Sequence, residues 1–90
     1  MYTVELTQAA RHEYRKLGER IRIEDYIRLQ QCLNALATNS HPPGARKLKA
    51  KRTLFRIRIG NYRIIYEVRE KDRLVLIAHV LRRNESTYDF

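Results

Sequence analysis

Short alternations of apolar and polar residues bracket two longer stretches of helical spacing in this chain. Tyr2-Thr3-Val4-Glu5-Leu6 alternates with period two, which suits a short strand. Thr7 offers an N-cap hydroxyl, and Ala10, Tyr14 and Leu17 share one stripe, so a helix is predicted to about Leu17, where Gly18 interrupts it. Tyr26, Leu29, Leu33 and Leu36 or Ala37 recur at helical intervals and predict a second helix from about Glu24 to Thr38. NSHPPG, Asn39 to Gly44, stops any regular element. Three strand-like segments follow: Leu54 to Ile59, Tyr62 to Val68 and Arg73 to Val80, the last two separated by the polar turn Arg69-Glu70-Lys71-Asp72. Leu74 to Val80 is apolar on both faces, as an interior strand is. Leu81 to Phe90 reads as a polar tail.

This order predicts an α+β fold in one domain, residues 1–90. An N-terminal strand and a helical hairpin precede a three-stranded antiparallel meander, all strands joining one sheet with both helices on one face. Gly60-Asn61 between two β-branched runs signals a two-residue hairpin turn. Pairing outward from it sets Ile59 against Tyr62, Arg58 against Arg63, Ile57 against Ile64 and Arg56 against Ile65. Phe55, Ile57, Ile59, Ile64 and Tyr66 would then meet the helices, while Arg56, Arg58 and Arg63 share the helix-free face. Directly opposed like charges destabilise a sheet by up to about 1 kcal/mol per pair, so a partner outside the hairpin is expected to offset them.

Composition narrows what that partner is. The chain carries 19 Lys and Arg against 10 Asp and Glu, a net charge of +9. Such a balance points to a polyanion: nucleic acid, an acidic protein or, less often, an anionic membrane. No run approaches the roughly 20 apolar residues of a membrane span, and MYTVELTQAARHEY lacks the features of a signal peptide. A cytoplasmic location without membrane attachment is expected. Cys32 is the single cysteine and reads as a small buried hydrophobe within the second helix. His12, His41 and His79 lie in separate segments and the acids do not cluster at ligand spacing, so no metal site is expected. GxxxxGK[ST] and GxGxxG loops are absent, and no cofactor is expected. His79, at the end of the last strand, reads as a packed histidine.

The run ARKLKAKRT holds Arg46, Lys47, Lys49, Lys51 and Arg52. A charge run of this kind is ordinarily a solvated connection. The ending VLRRNESTYDF adds Arg82, Arg83 and Tyr88. Three readings of the strand arginines compete: solvent-facing decoration, docking of an acidic protein, and a grip on nucleic-acid phosphates, to which the planar guanidinium fork is suited. Glu67 is the only acid on their side of the hairpin, which weighs against the first. A tyrosine ring beside phosphate-binding arginines can stack on an unpaired base. Neighbouring cations would also favour its tyrosinate and ease proton transfer, although a tyrosine near a C-terminus is more often a packing residue. Catalysis here would be metal-free, the arginines stabilising charge at phosphorus and the RNA 2′-hydroxyl acting as nucleophile.

In order and spacing, Lys47-Leu48, the FRIRI strand with GNYRIIYEV behind it, and the Arg82-Arg83…Tyr88 ending resemble the RelE/ParE superfamily of bacterial toxins from toxin–antitoxin pairs. The resemblance covers almost the whole chain. Similarity to the RelE branch implies an endoribonuclease, an mRNA interferase that enters the ribosomal A site, cuts mRNA there and arrests translation. In that branch two basic residues alternate along the second strand, an arginine follows in the next, and an arginine and a tyrosine come near the C-terminus. By position these fall on Arg56 and Arg58, on Arg63, on Arg82 (Arg83 for a tail one residue shorter) and on Tyr88. The best-known members have lysines at the two alternating positions. An arginine stays protonated and is a poor general base, which leaves Tyr88 to activate the 2′-hydroxyl and an arginine to assist the leaving 5′-oxygen. The resemblance also implies a cognate antitoxin, acidic where it wraps the basic face or displaces the C-terminal segment. It implies ribosomal RNA contacts for Arg46, Lys47, Lys49, Lys51, Arg52 and Arg83. The ParE branch shares the fold but inhibits DNA gyrase, and a non-catalytic RNA- or ribosome-binding module is a third alternative. Arg63, Arg82 and Tyr88 together favour the RelE branch.

Overall fold

The computed structural model of the chain describes residues 1–48 and 53–82. In chain order it contains β1 (Thr3–Leu6), α1 (Gln8–Gly18), α2 (Ile23–Ala35), β2 (Arg46–Lys47), β3 (Leu54–Ile59), β4 (Tyr62–Arg69) and β5 (Leu74–Arg82). The strands form one sheet in the order β1-β5-β4-β3-β2, with β1 parallel to β5 and the remaining neighbours antiparallel. This is the α+β arrangement that the alternation predicts, with one strand more. Arg46 and Lys47, expected in a solvated connection, pair with Arg56 and Phe55 as a two-residue edge strand. No helix among the described residues is long and apolar enough to cross a membrane.

The helices form where the sequence provides ends for them. Thr7 caps α1, its hydroxyl accepting from the Ala10 N–H at 3.1 Å. Gly18 ends that helix under the Tyr26 ring, where a Cβ would come within 3.1 Å of the ring carbons. Tyr26 in turn stacks on Tyr14 at 4.8 Å, which fixes how α2 returns along α1. α2 stops at Ala35 rather than Thr38, because the next amides turn to carbonyls three residues back, Ala37 to Asn34 and Thr38 to Ala35.

Leu29, Leu33 and Leu36 of the second apolar stripe are buried against the sheet core built on Ile57, Ile64, Tyr66 and Ile77. Each such side chain stabilises the fold by about 1.5–3 kcal/mol relative to exposure. Tyr66, fully buried, donates its hydroxyl to the Ser40 carbonyl at 2.8 Å and stacks on Phe55. That bond ties the loop after α2 to the middle of the sheet. Hence the helices and the loop behind them all draw on one side of the sheet, and the other side is set by the outward residues of β2 to β5.

Candidate nucleic-acid interface

Gly60, at φ +56°, supplies the left-handed backbone of the β3–β4 turn, and the register outward from it matches the sequence prediction pair for pair. Directly opposed side chains share a face. One cross-strand row therefore reads Arg46, Arg56, Ile65, His79, and the next row towards the turn reads Arg58, Arg63, Leu81. Four arginines from three strands thus stand on the face away from the helical core. Arg46 joins the three strand arginines because β2 pairs at that point. Sequence reasoning had the residue within a basic run but lacked any sign that the run holds a strand.

The face is less bare than its charge suggests. Ile65 is fully buried and Leu81 nearly so, while Arg56 and Arg63 are half-buried and Arg58 is exposed. Arg56 lies directly opposite Ile65 and Arg63 two residues from it on the same strand. Arginine stems of this kind lie along apolar surface and carry the guanidinium at their end. The Nε atoms of both Arg56 and Arg63 are buried, and Arg56 Nε has no hydrogen-bond acceptor among the described residues. A buried donor left unsatisfied costs about 1–3 kcal/mol, and a phosphate oxygen would be a charge-assisted acceptor for it. Glu67 is engaged at the far end of β4, accepting from Arg69 Nε and the Thr53 hydroxyl, each at 3.3 Å.

Period-two alternation separates Arg82 from this group. It is directly opposite the buried Tyr62, so it belongs to the helix side of the sheet. There it lines a groove of about 300 Å³ with His12, Glu13, Lys16 and Arg20 of α1. The expected neighbourhood of Arg82 with Arg56, Arg58 and Arg63 is corrected accordingly: β5 runs on past Val80, and its last residue falls on the other face. Lys47 is likewise on the helix side, opposite Phe55. Lys49, Lys51, Arg52, Arg83 and Tyr88 lie outside the described residues.

At the end of β5 the sheet edge is closed by α1. β1 pairs only as far as Ile77, and the pairing of β4 with β5 shifts between Ile65 and Tyr66, which leaves Ala78 as an extra residue. The Thr7 amide donates to the Ile77 carbonyl at 2.9 Å and its hydroxyl to the Ala78 carbonyl at 3.0 Å. Glu13 then takes the Val80 N–H at 2.9 Å on Oε1 and meets His79 Nδ1 at 3.0 Å through Oε2. His79 is therefore packed, as expected, but against a carboxylate. Nothing local in the sequence announces Glu13, since its partners are 66 and 67 residues away.

Among the described residues no group of three or more His, Cys, Asp or Glu stands together as a metal site requires. Burial pushes the Cys32 thiol up to about 11, so it is held protonated near neutral pH.

Residues 4–87 match the family described as ParE toxin of type II toxin-antitoxin system, parDE. No curated protein gives a significant match. Several solved structures are similar in fold. The isolated RelE toxin of Escherichia coli superposes with a TM-score of 0.77 at 18% identity, covering 97% of this chain and 89% of that one. A chain of the archaeal RelE–RelB complex from Pyrococcus horikoshii gives 0.77 at 23% identity, covering 94% and 98%. A chain of the toxin–antitoxin complex RelBE2 from Mycobacterium tuberculosis gives 0.73 at 22% identity, covering 91% and 98%.

Proposed function

This chain belongs to the ParE toxin family of type II toxin–antitoxin systems, and from that premise we propose that it acts as a RelE-like mRNA interferase. It binds mRNA in the ribosomal A site and cleaves it without a metal, the 2′-hydroxyl attacking the scissile phosphate, and so arrests translation in the cytoplasm. Arg56, Arg58 and Arg63 hold the phosphate and offset the charge that grows on it in the transition state. Arg46 extends the grip along the backbone, and Tyr88 activates the 2′-hydroxyl. Lys47, Lys49, Lys51, Arg52 and Arg83 contact ribosomal RNA. A cognate antitoxin, acidic where it meets this face, keeps the toxin silent.

The observation that carries this reading is the arginine register. Two opposed guanidinium groups and a third beside them gather positive charge on one face of the hairpin, and Arg56 keeps a buried Nε without an acceptor among the described residues. A phosphodiester backbone would answer both. The family match favours a second reading, inhibition of DNA gyrase, because its description names the ParE branch.

Expression from a tightly regulated promoter, with 5′-end mapping of transcripts, separates the two. The ribonuclease reading predicts new 5′ ends within translated frames and none in the same RNA when its start codon is removed. Intact messages together with gyrase-dependent DNA breaks would establish the second reading in its place.

A further inference from the structure

α2 is apolar over more of its surface than the core uses. Leu29 and Leu33 are buried, yet Ile23 and Ile27, one turn apart, are 66% and 47% exposed. With Met1 they are the large hydrophobic side chains left open among the described residues. Isolated surface hydrophobes need no explanation, whereas a stripe joined to a larger apolar surface marks a contact site. Ile23 lines a groove of about 550 Å³ along the seam of the two helices, together with Leu6, Tyr14, Ile21 and Tyr26. Tyr14 and Tyr26 stack at 4.8 Å, and Tyr14 donates to Gln30 across the seam at 3.1 Å, which holds the helices at this spacing. Arg11 and Arg15, also one turn apart, line the same groove from α1, and no acid lines it. Neither arginine has an ion pair or a side-chain hydrogen bond with a described residue.

Apolar wall and paired cations together define the occupant. A helix laid into a groove anchors itself through apolar residues at i, i+3 or i+4, and i+7, a spacing that Ile23 and Ile27 present in return. The arginines ask for acids beside that stripe. A second copy of the chain would bring the same arginines and a net charge of +9 against its twin, and nucleic acid gains nothing from open isoleucines. Resting on the toxin–antitoxin reading and not on the ribonuclease chemistry, we propose that the α1–α2 seam anchors an amphipathic helix of the cognate antitoxin. That helix is apolar along one stripe, against Ile23, Ile27 and Tyr26, and carries Asp or Glu against Arg11 and Arg15. The anchor lies on the helix side of the sheet, away from Arg56, Arg58 and Arg63. Holding the antitoxin and silencing the arginine face are thus tasks of different surfaces, and the first raises the effective concentration of the segment that performs the second.

The test expresses the full chain with and without its antitoxin and measures the affinity of the two purified proteins. Ile23→Gln with Ile27→Gln, both at open positions, should keep native circular dichroism and arrest growth as the wild type does when expressed alone. It should bind the antitoxin about 10-fold or more weakly, as loss of a hot-spot anchor does, and so escape neutralisation. Arg11→Glu with Arg15→Glu should weaken binding comparably and lessen the further weakening that salt causes. Wild-type affinity in both double variants would overturn the anchor and leave the toxin–antitoxin reading standing. A wild-type dimer that the isoleucine variant turns into a monomer, with antitoxin affinity unchanged, would overturn it in favour of a second copy. Growth arrest lost at unchanged antitoxin affinity would assign the patch to the toxin's target instead. A wild-type chain that neither arrests growth nor binds the antitoxin would overturn the reading on which the anchor rests.

Discussion

Tyr66 and Cys32 show how a single buried group links structure to a measurable quantity. Burial raises the Tyr66 hydroxyl from its ordinary 10.0 to about 12 and the Cys32 thiol from 9.0 to about 11. Each group holds its proton more tightly in the folded chain than in the unfolded one. The contribution of Tyr66 is therefore whole below pH 10 and is lost as pH rises to about 12, and that of Cys32 is whole below pH 9 and is lost as pH rises to about 11. Urea unfolding at successive pH values is expected to show stability falling above about pH 9, and Cys32→Ala should remove the thiol's share of that fall, which begins at pH 9 before the tyrosine's. An unaltered slope in that variant would contradict the burial argument. Tyr66→Phe should cost about 1 kcal/mol through the lost bond to the Ser40 carbonyl.

The β3–β4 hairpin is the element on which the functional reading turns, and it was also the most legible part of the chain. Gly60-Asn61 pins the turn, and the alternation of FRIRI with YRIIY fixes which residues share a face. Sequence could not foretell β2, because two charged residues carry no period. It could not place Arg82, because the end of β5 depends on continued pairing with Tyr62 and Arg63. The bulge at Ala78 and the Glu13–His79 contact arise from tertiary packing across 66 residues, beyond any local signal. The conflict between Arg58 and Arg63 yields a prediction at this scale. Arg58→Glu replaces repulsion by attraction and should raise stability by up to about 1 kcal/mol in denaturant unfolding, while abolishing toxicity. A less stable variant, or one that remains fully toxic, would mean that the opposed arginines have another purpose.

For the whole molecule, charge and architecture divide the surface. The helices and the loop at Ser40 occupy one side of the sheet, and the other collects Arg46, Arg56, Arg58 and Arg63 out of an overall charge of +9. The similar folds of RelE chains at 18–23% identity show that this architecture tolerates wide sequence change, so function has to be argued from the face itself. The direct measurement is ultraviolet cross-linking of the intact protein to ribosome-bound mRNA whose scissile 2′-hydroxyl is methylated, with the linked peptides identified by mass spectrometry. Cross-links are predicted in residues 46–47, 54–65 and 79–82. Cross-links confined to α1 and α2, or none to mRNA at all, would contradict the claim that this arginine face holds the RNA backbone.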